Sequence, residues 1–289
     1  MNTVLQQHIE NGLNKKYATH FNFNWSPVSG GSINNSYKIT SNRNSFFVKT
    51  NTLSTFKNGF EEEVLGLQFL INQGISTPEI IDYGILKNSI YLVLEWIDSG
   101  REASIFWQNF AEQLASLHQQ NGKQFGLNYS NFMGELTQKN TFFNTFSEFF
   151  IENRLKPQVE LAFNSNKLQQ KHLNQFKRLY KKLPAIIPLE KPCAIHGDLW
   201  SGNYICSQNE KAILIDPAVY NGHREIDLAM SLLFGGFSNE FYTTYQEISP
   251  LEKGFNNRKD VYNLYPLLVH LNLFGNSYLS SLENIITKF

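Results

Sequence analysis

The densest run of chemically capable side chains is His196-Gly197-Asp198-Leu199-Trp200-Ser201-Gly202-Asn203. An aspartate followed five residues later by an asparagine, behind a His-x pair, has the spacing of a phosphoryl-transfer catalytic loop. Such chemistry needs a carboxylate aimed at an acceptor hydroxyl and a neutral oxygen ligand for Mg²⁺ close by. Asp198 suits the first task and Asn203 the second, with Ser201-Gly202 letting the backbone turn between them. Thirteen residues on, the apolar run Ile213-Leu214-Ile215 delivers Asp216, followed by Pro217. A carboxylate there is placed to ligate Mg²⁺ bridging phosphates. Asp-Pro by itself is an ordinary turn; the joint spacing of Asp198, Asn203 and Asp216 favours the metal reading.

A site of this kind also needs a loop to cover phosphates, a lysine and a carboxylate partner. Ser29-Gly30-Gly31-Ser32-Ile33-Asn34 precedes a strand and could turn backbone N–H groups toward phosphate through Gly30, Gly31 and Ser32. It lacks the G-x-G-x-x-G pattern, and a plain flexible turn fits it equally well. Lys49 ends the strand Phe46-Phe47-Val48, and Glu61, Glu62 and Glu63 compete as its partner. At about 100° per residue, Phe60, Val64, Leu67 and Ile71 fall within an arc of roughly 60° and mark a buried helix face. Glu63 lies at the edge of that face, Glu61 further round and Glu62 nearly opposite, so Glu63 is the candidate. Glu61 and Glu62 fit solvated acids at a helix N-terminus.

The elements that must position these groups divide the chain. The first hundred residues read as strand-rich: Ser36–Thr40, Ser45–Lys49 and the apolar Ser89–Trp96, with one helix over Phe60–Ile71 closed by Gly74. After a breaker cluster at Asp98-Ser99-Gly100, helical periodicity takes over across Phe106–Gln119, Thr141–Leu155, Leu168–Leu183 and Glu225–Phe234, interrupted by short β-type stretches at 194–195, 204–206 and 212–215. The expected class is α+β and two-lobed. A small lobe (1–95) pairs an antiparallel sheet with one helix, a larger and mainly helical lobe (96–289) carries the catalytic loop, and ATP·Mg²⁺ sits between them. The stripe Phe142, Phe146, Phe149, Phe150 reads as core. His118 and His270 lack metal-ligand spacing and read as packing residues, His196 as a scaffold for the loop, and Asp227 as its brace.

The 289 residues carry 42% apolar and 17% charged residues with zero formal net charge. No basic stripe marks nucleic acid or a membrane surface as a partner. The start of the chain has no apolar signal core, no apolar run is long enough to span a bilayer, and the two cysteines fit a reducing compartment, so a cytoplasmic protein is expected.

Taken together the motifs resemble the fructosamine/ketosamine 3-kinase family, relatives of the aminoglycoside and choline kinases. The likeness runs through GGSIN (30–34), FVK (47–49), FEEEVLGL (60–67), FMGELTQKN (132–140), FSEFFIENRLKPQ (146–158), HGDLWSGN (196–203), IDPAVYNGHREIDLAM (215–230), LFGGF (233–237) and HLNLFGNSY (270–278). The tryptophan of the catalytic loop and the HREIDLAM stretch separate it from the aminoglycoside enzymes. The resemblance implies ATP-dependent phosphorylation of the O3 hydroxyl of a ketosamine, free or on a glycated protein lysine. The 3-phosphate is unstable and breaks down to release the amine, a repair of glycation. It further implies that the backbone of Glu95–Ile97 holds adenine. Some relatives carry cysteine where this chain has Ser32, so thiol regulation through that loop is not expected. Trp200 could serve as a platform for the sugar or simply pack, and His223 and Glu225, close behind Asp216, are carried with it as candidate substrate contacts. The rival readings are a kinase of another small hydroxyl compound, such as an aminoglycoside or amino alcohol, and a non-catalytic nucleotide-binding protein.

Overall fold

The computed structural model describes residues 3–29, 34–54 and 60–289; the candidate loop residues Gly30, Gly31 and Ser32 lie outside these. Helix α1 (Thr3–Lys16) precedes strands β1 (Asn24–Pro27), β2 (Asn35–Thr40) and β3 (Ser45–Thr52). Helix α2 (Glu61–Asn72) and strands β4 (Ile80–Leu86) and β5 (Ser89–Glu95) follow. The five strands form one antiparallel sheet in the order β1-β2-β3-β5-β4.

Strand β5 explains why its sequence is apolar without alternation: both faces of the sheet are covered. Tyr91 and Val93 meet Leu5, Ile9 and Leu13 of α1, whereas Ile90, Leu92 and Leu94 meet Val64 and Leu67 of α2 and Phe60 just before it. The same period of two governs β3, where Phe46 and Val48 face α1. Lys49, paired with Leu92, therefore points to the α2 side. Helix α1 is a second helix on this sheet, beyond the one read from the sequence. Its apolar residues recur every four positions, and each contributes about 2 kcal/mol on burial.

Beyond Glu95 the chain is pinned by Gly100, whose N–H donates to the Cys206 carbonyl at 2.7 Å. A Cβ at Gly100 would lie 2.2 Å from the Ser207 carbonyl oxygen, so only glycine allows this approach. The remainder is built on helices α3 (Ser104–His118), α4 (Phe146–Phe149), α5 (Lys156–Asn164), α6 (Gln170–Ile186), α7 (Glu225–Ser231), α8 (Asn239–Ile248), α9 (Phe255–Phe274) and α10 (Leu279–Ile286). Three two-stranded ladders interrupt them: β6 (Asn131–Met133) with β7 (Leu136–Gln138), β8 (Cys193–Ile195) with β11 (Tyr220–Gly222), and β9 (Tyr204–Cys206) with β10 (Ala212–Leu214). Among the described residues no helix is long and apolar enough to cross a membrane.

The phenylalanine-rich segment differs from the single helix expected over 141–155. It starts at α4, capped by Thr145, whose side chain accepts from the Glu148 N–H, and continues as a π-helical turn over Phe150–Leu155. Phe146, Phe149 and Phe150 are core, but Phe142 precedes the helix and is 48% exposed, so it leaves the predicted stripe. The wider turn carries Asn153, Arg154 and Leu155 inward together. Arg154, fully buried, donates to the Lys139 carbonyl at 2.6 Å and to Asn140 Oδ1 at 2.7 Å and lies against the Tyr220 ring. It thereby ties down the end of the β6–β7 hairpin.

Candidate active site

The predicted chemical residues from both halves of the chain converge. Lys49 Nζ lies 2.9 Å from Glu63 Oε1 and also bonds Asp216 Oδ1. Glu63 is the ion-pair partner of Lys49, as the helix phase predicts, and Glu61 is exposed; Glu62, expected nearly opposite, is instead half-buried and lines the same cavity. Burial disfavours the Lys49 ammonium, but the carboxylates of Asp216 and Glu63 outweigh it and hold the pKa above its usual value, so the group stays charged. Burial acts on Glu63 in the opposite sense and lifts its carboxyl to about 7 against the pull of Lys49. Asp216 is also desolvated, yet the adjacent ammonium keeps it below the ordinary carboxylate range.

Backbone shape aims these groups. Asp216 has φ +52°, a left-handed conformation tolerated by aspartate and uncommon elsewhere, and it sits two residues after the end of β10. The Ile215 N–H donates to the Asn203 carbonyl at 3.1 Å, which couples the strand end to the catalytic loop. Helix α2 comes close behind: a Cβ on Gly66 would lie 3.1 Å from Pro217 Cγ. The helix that carries Glu63 is thus seated against the turn that carries Asp216.

Within the loop, Asn203 Nδ2 donates to Asp198 Oδ2 at 2.9 Å and to the Asp198 carbonyl at 2.7 Å. Its Oδ1 is then the side-chain atom left for a metal. An amide oxygen plus the Asp216 carboxylate is a hard-oxygen donor set that fits Mg²⁺ completed by phosphate and water. Burial raises the Asp198 carboxyl from an ordinary 3.8 to about 7, opposed by the Asn203 hydrogen bond and reinforced by the charges of Asp216 and Asp227.

The loop itself is held from behind. Asp227, fully buried on α7, accepts from the His196 N–H at 2.7 Å and the Gly197 N–H at 2.8 Å through its two oxygens. His118 Nε2 lies 3.2 Å from the same carboxylate, and Tyr245 OH lies 2.7 Å from His118 Nδ1. His196 Nε2 reaches the Ile215 carbonyl at 3.0 Å, and burial keeps its pKa low, so the ring is neutral scaffold.

A cavity of about 730 Å³ opens over these groups, lined by Lys49, Glu63, Asp198, Asn203, Asp216 and Trp200 among others. Beside it, an apolar slot of about 80 Å³ runs between Phe47 and Leu94 on one side and Ile205 and Ile215 on the other, with Glu95, Trp96 and Ile97 along its edge. The slot shares Lys49 and Asp216 with the cavity.

His223 and Glu225 are not brought to the cavity. Both are fully buried: the His223 ring stacks on Tyr262 at 5.7 Å, and Glu225 Oε2 accepts from Arg258 Nε at 2.6 Å. They leave the substrate set, because β11 pairs with β8 and carries the chain from Asp216 into the core before residue 223. In the other direction, the sequence reading missed the hairpin residues Phe132 and Met133, and His270, Phe274 and Tyr278, all of which line the cavity. The signal for them was not periodicity but membership of the FMGELTQKN and HLNLFGNSY runs. Asn131 Nδ2 donates to the Val219 carbonyl and Gln138 Nε2 to the Ala218 carbonyl, which fastens that hairpin next to Asp216-Pro217.

A twisted sheet with a Lys–Glu pair, packed on a helical body that supplies an Asp…Asn…Asp set, defines a protein-kinase-like phosphotransferase fold. Comparison with known proteins narrows this class. The chain belongs to the fructosamine kinase family, which it matches over residues 1–289. It is 39% identical over 265 residues to a "probable ketoamine kinase" of Enterococcus faecium, covering 91% of this chain and 94% of that one. It is 35% identical over 272 residues to the chloroplastic protein-ribulosamine 3-kinase of Arabidopsis thaliana, covering 91% and 81%. The crystal structure of a Haemophilus somnus protein named as a fructosamine-3-kinase superposes with a TM-score of 0.86 at 29% identity, covering 97% of this chain and 96% of the other.

Proposed function

We propose that the protein transfers the γ-phosphoryl group of ATP to the O3 hydroxyl of a ketosamine, a fructosyl, ribulosyl or erythrulosyl adduct on a small amine or a protein lysine. The observation that carries this reading is the convergence of Lys49, Glu63, Asp198, Asn203 and Asp216 on one cavity, next to an apolar slot. In this reading residues 1–95 form the nucleotide-binding lobe and 96–289 the catalytic and substrate lobe. Adenine enters the slot with its edge on the Glu95–Ile97 backbone, and Gly30, Gly31 and Ser32 cover the phosphates. Lys49, oriented by Glu63, meets the phosphate oxygens. Asn203 Oδ1 and Asp216 would hold Mg²⁺, which supplies charge neutralisation at those oxygens. Asp198 accepts a hydrogen bond from the acceptor O3–H and fixes its line of approach. As the O3–P bond forms and the bond from P to the β-phosphate oxygen breaks, the proton passes to Asp198. A carboxyl whose pKa is near 7 can take that proton and return it to water. Positioning outweighs basicity when the transition state is loose. The 3-phosphate then decomposes and frees the amine, which makes the reaction a deglycation. The two free cysteines, Cys193 and Cys206, support a cytoplasmic setting.

Incubating the protein with ATP, Mg²⁺ and parallel panels of ketosamines and aminoglycosides, with the phosphorylated carbon assigned by NMR, tests the reading. Turnover of ketosamines at O3 is expected; turnover confined to aminoglycosides would overturn it. Glu63→Gln should raise KM for ATP on the order of 10-fold, because a charge-assisted bond that orients Lys49 becomes a neutral one. An unchanged KM for ATP would remove Glu63 from nucleotide binding.

A further inference from the structure

The cavity has a wall that phosphate chemistry does not use. The Trp200 ring meets Phe234 edge-on at 5.7 Å, Phe234 meets His270 at 5.1 Å, and His270 meets Phe274 at 5.4 Å and Tyr278 at 5.0 Å. Trp200, His270, Phe274 and Tyr278 line the cavity. Among the described residues lining it, the charged side chains are Lys49, Glu62, Glu63, Asp198 and Asp216. Lys49, Glu63 and Asp216 belong to the phosphate-handling set and Asp198 serves the reacting hydroxyl, which leaves Glu62 alone among them for the rest of the acceptor. A polycationic acceptor such as an aminoglycoside therefore meets rings where it needs several acids. An open-chain or cyclic sugar suits the same wall, its C–H faces against the rings and its hydroxyls needing partners.

One partner is built in. His270 Nδ1 lies 2.7 Å from the Pro266 carbonyl, one turn back on α9. A carbonyl only accepts, so Nδ1 carries the proton. Burial lowers the pKa of the ring, which leaves it neutral and its Nε2 a bare acceptor. That nitrogen has no protein partner among the described residues, and it is not among the sealed, unsatisfied polar atoms of the interior. Three aromatic neighbours and the Pro266 bond fix the plane of the ring. The ring therefore offers one unpartnered acceptor on a residue that lines the cavity.

We infer that His270 is a specificity-determining residue for the acceptor: its Nε2 accepts a hydrogen bond from a sugar hydroxyl beyond C3, while Trp200, Phe274 and Tyr278 pack the carbon chain. This rests on the ketosamine reading above and selects within it. The experiment measures kcat/KM for fructosyl-lysine and its 4-, 5- and 6-deoxy analogues in the wild type, His270→Phe and His270→Gln, with ATP and Mg²⁺ present throughout. The wild type should lose about 10-fold or more on one deoxy analogue. His270→Phe keeps a ring of similar size among its neighbours. It should lose about 10-fold on the parent substrate, show no further loss on that same analogue, and leave KM for ATP unchanged. His270→Gln, whose Oε1 can stand near the Nε2 position, should recover part of both the rate and the penalty. If His270→Phe folds poorly, the His270→Gln panel decides alone by the same comparison. A wild type indifferent to all three deletions, or variants that keep every wild-type penalty, would overturn the assignment while leaving the ketosamine reading intact. Absence of ketosamine turnover in the wild type would overturn both, and it is seen before any variant is made.

Discussion

Asp198→Asn is expected to lower kcat by roughly 10²- to 10⁴-fold while leaving KM for ATP within about threefold of the wild type. The amide can still accept the Asn203 Nδ2 hydrogen bond at the oxygen that Asp198 Oδ2 now supplies, so loop geometry survives. What is lost is the acceptor for the O3 proton. The same substitution should stabilise the metal-free protein. The Asp198 carboxyl has its pKa raised from 3.8 to about 7 in the folded chain, chiefly by burial. The unfolded chain therefore releases this proton at lower pH than the folded one. Wild-type stability falls as pH rises from about 4 to about 7, and above that the cost is fully present. A shift of that size corresponds to about 4 kcal/mol at most, and the side chain opens partly on the cavity, so a gain on the order of 2 kcal/mol at pH 8 is expected for Asp198→Asn. The gain should fade on titration toward pH 4. Melting curves of both proteins from pH 4.5 to 8, with kinetics at pH 7.5, check both halves. A stability difference that does not change with pH would mean that the carboxylate is not held at a cost, and near-normal kcat would remove Asp198 as the base.

This cost of holding a charge ready for use bears on how much of the molecule the sequence disclosed. Asp198, Asn203 and Asp216 were legible because their function depends on short spacings within two adjacent turns, and chain distance there is close to spatial distance. Glu63 was legible because helix phase is arithmetic: the apolar positions at 60, 64, 67 and 71 single it out from its neighbours, although Ile71, counted in that buried face, is exposed at the far end of the helix. Helix α1 was not read, although Leu5, Ile9 and Leu13 sit every fourth position, since its remaining positions are mostly polar and its partner is a sheet face formed by residues 39–93. The π-helical turn at 150–155 escaped for a related reason. Phenylalanine periodicity says that a helix is buried, but not that one extra residue per turn is needed to carry Arg154 under the β6–β7 hairpin. Proximity in sequence misled at His223 and Glu225, seven and nine residues after Asp216, because a three-residue strand suffices to redirect the chain into the core. His270 was read as packing, and it does pack; that it also lines the cavity depends on where α9 ends relative to a loop seventy residues earlier, which no local pattern encodes.

Asp227 shows the same dependence at its strongest, and its replacement by Asn should produce a large combined defect. Its two oxygens take the N–H groups of His196 and Gly197, adjacent donors that converge only because Gly197 adopts φ +83°. A side chain at 197 is barred as well, since a Cβ there would sit 2.1 Å from the Ala218 carbonyl oxygen. The carboxylate accepts from His118 Nε2, and Nδ1 of the same ring pairs with the Tyr245 hydroxyl. An asparagine offers one oxygen for three donors and turns an NH₂ group toward one of them in a site without exposure to solvent. Leaving a buried donor unpaired and losing charge-assisted bonds should destabilise the protein by about 3 kcal/mol, seen as a lower urea midpoint. The more telling effect is kinetic. Asp198 follows Gly197 directly, and a displacement of about 1 Å at that carboxylate is enough to lower kcat on the order of 10²-fold. KM for ATP should move less, because the Lys49–Glu63 pair and the Phe47–Leu94 side of the apolar slot rest on β3, β5 and α2 rather than on this loop. Phenylalanine at His118, which removes one donor to Asp227 but leaves both backbone donors in place, should give a smaller loss of both stability and rate. If Asp227→Asn lowered the urea midpoint yet kept wild-type kcat, the position of Asp198 would have to be set from the Asn203 side of the loop alone, and the anchoring of the loop by α7 would be a matter of stability only.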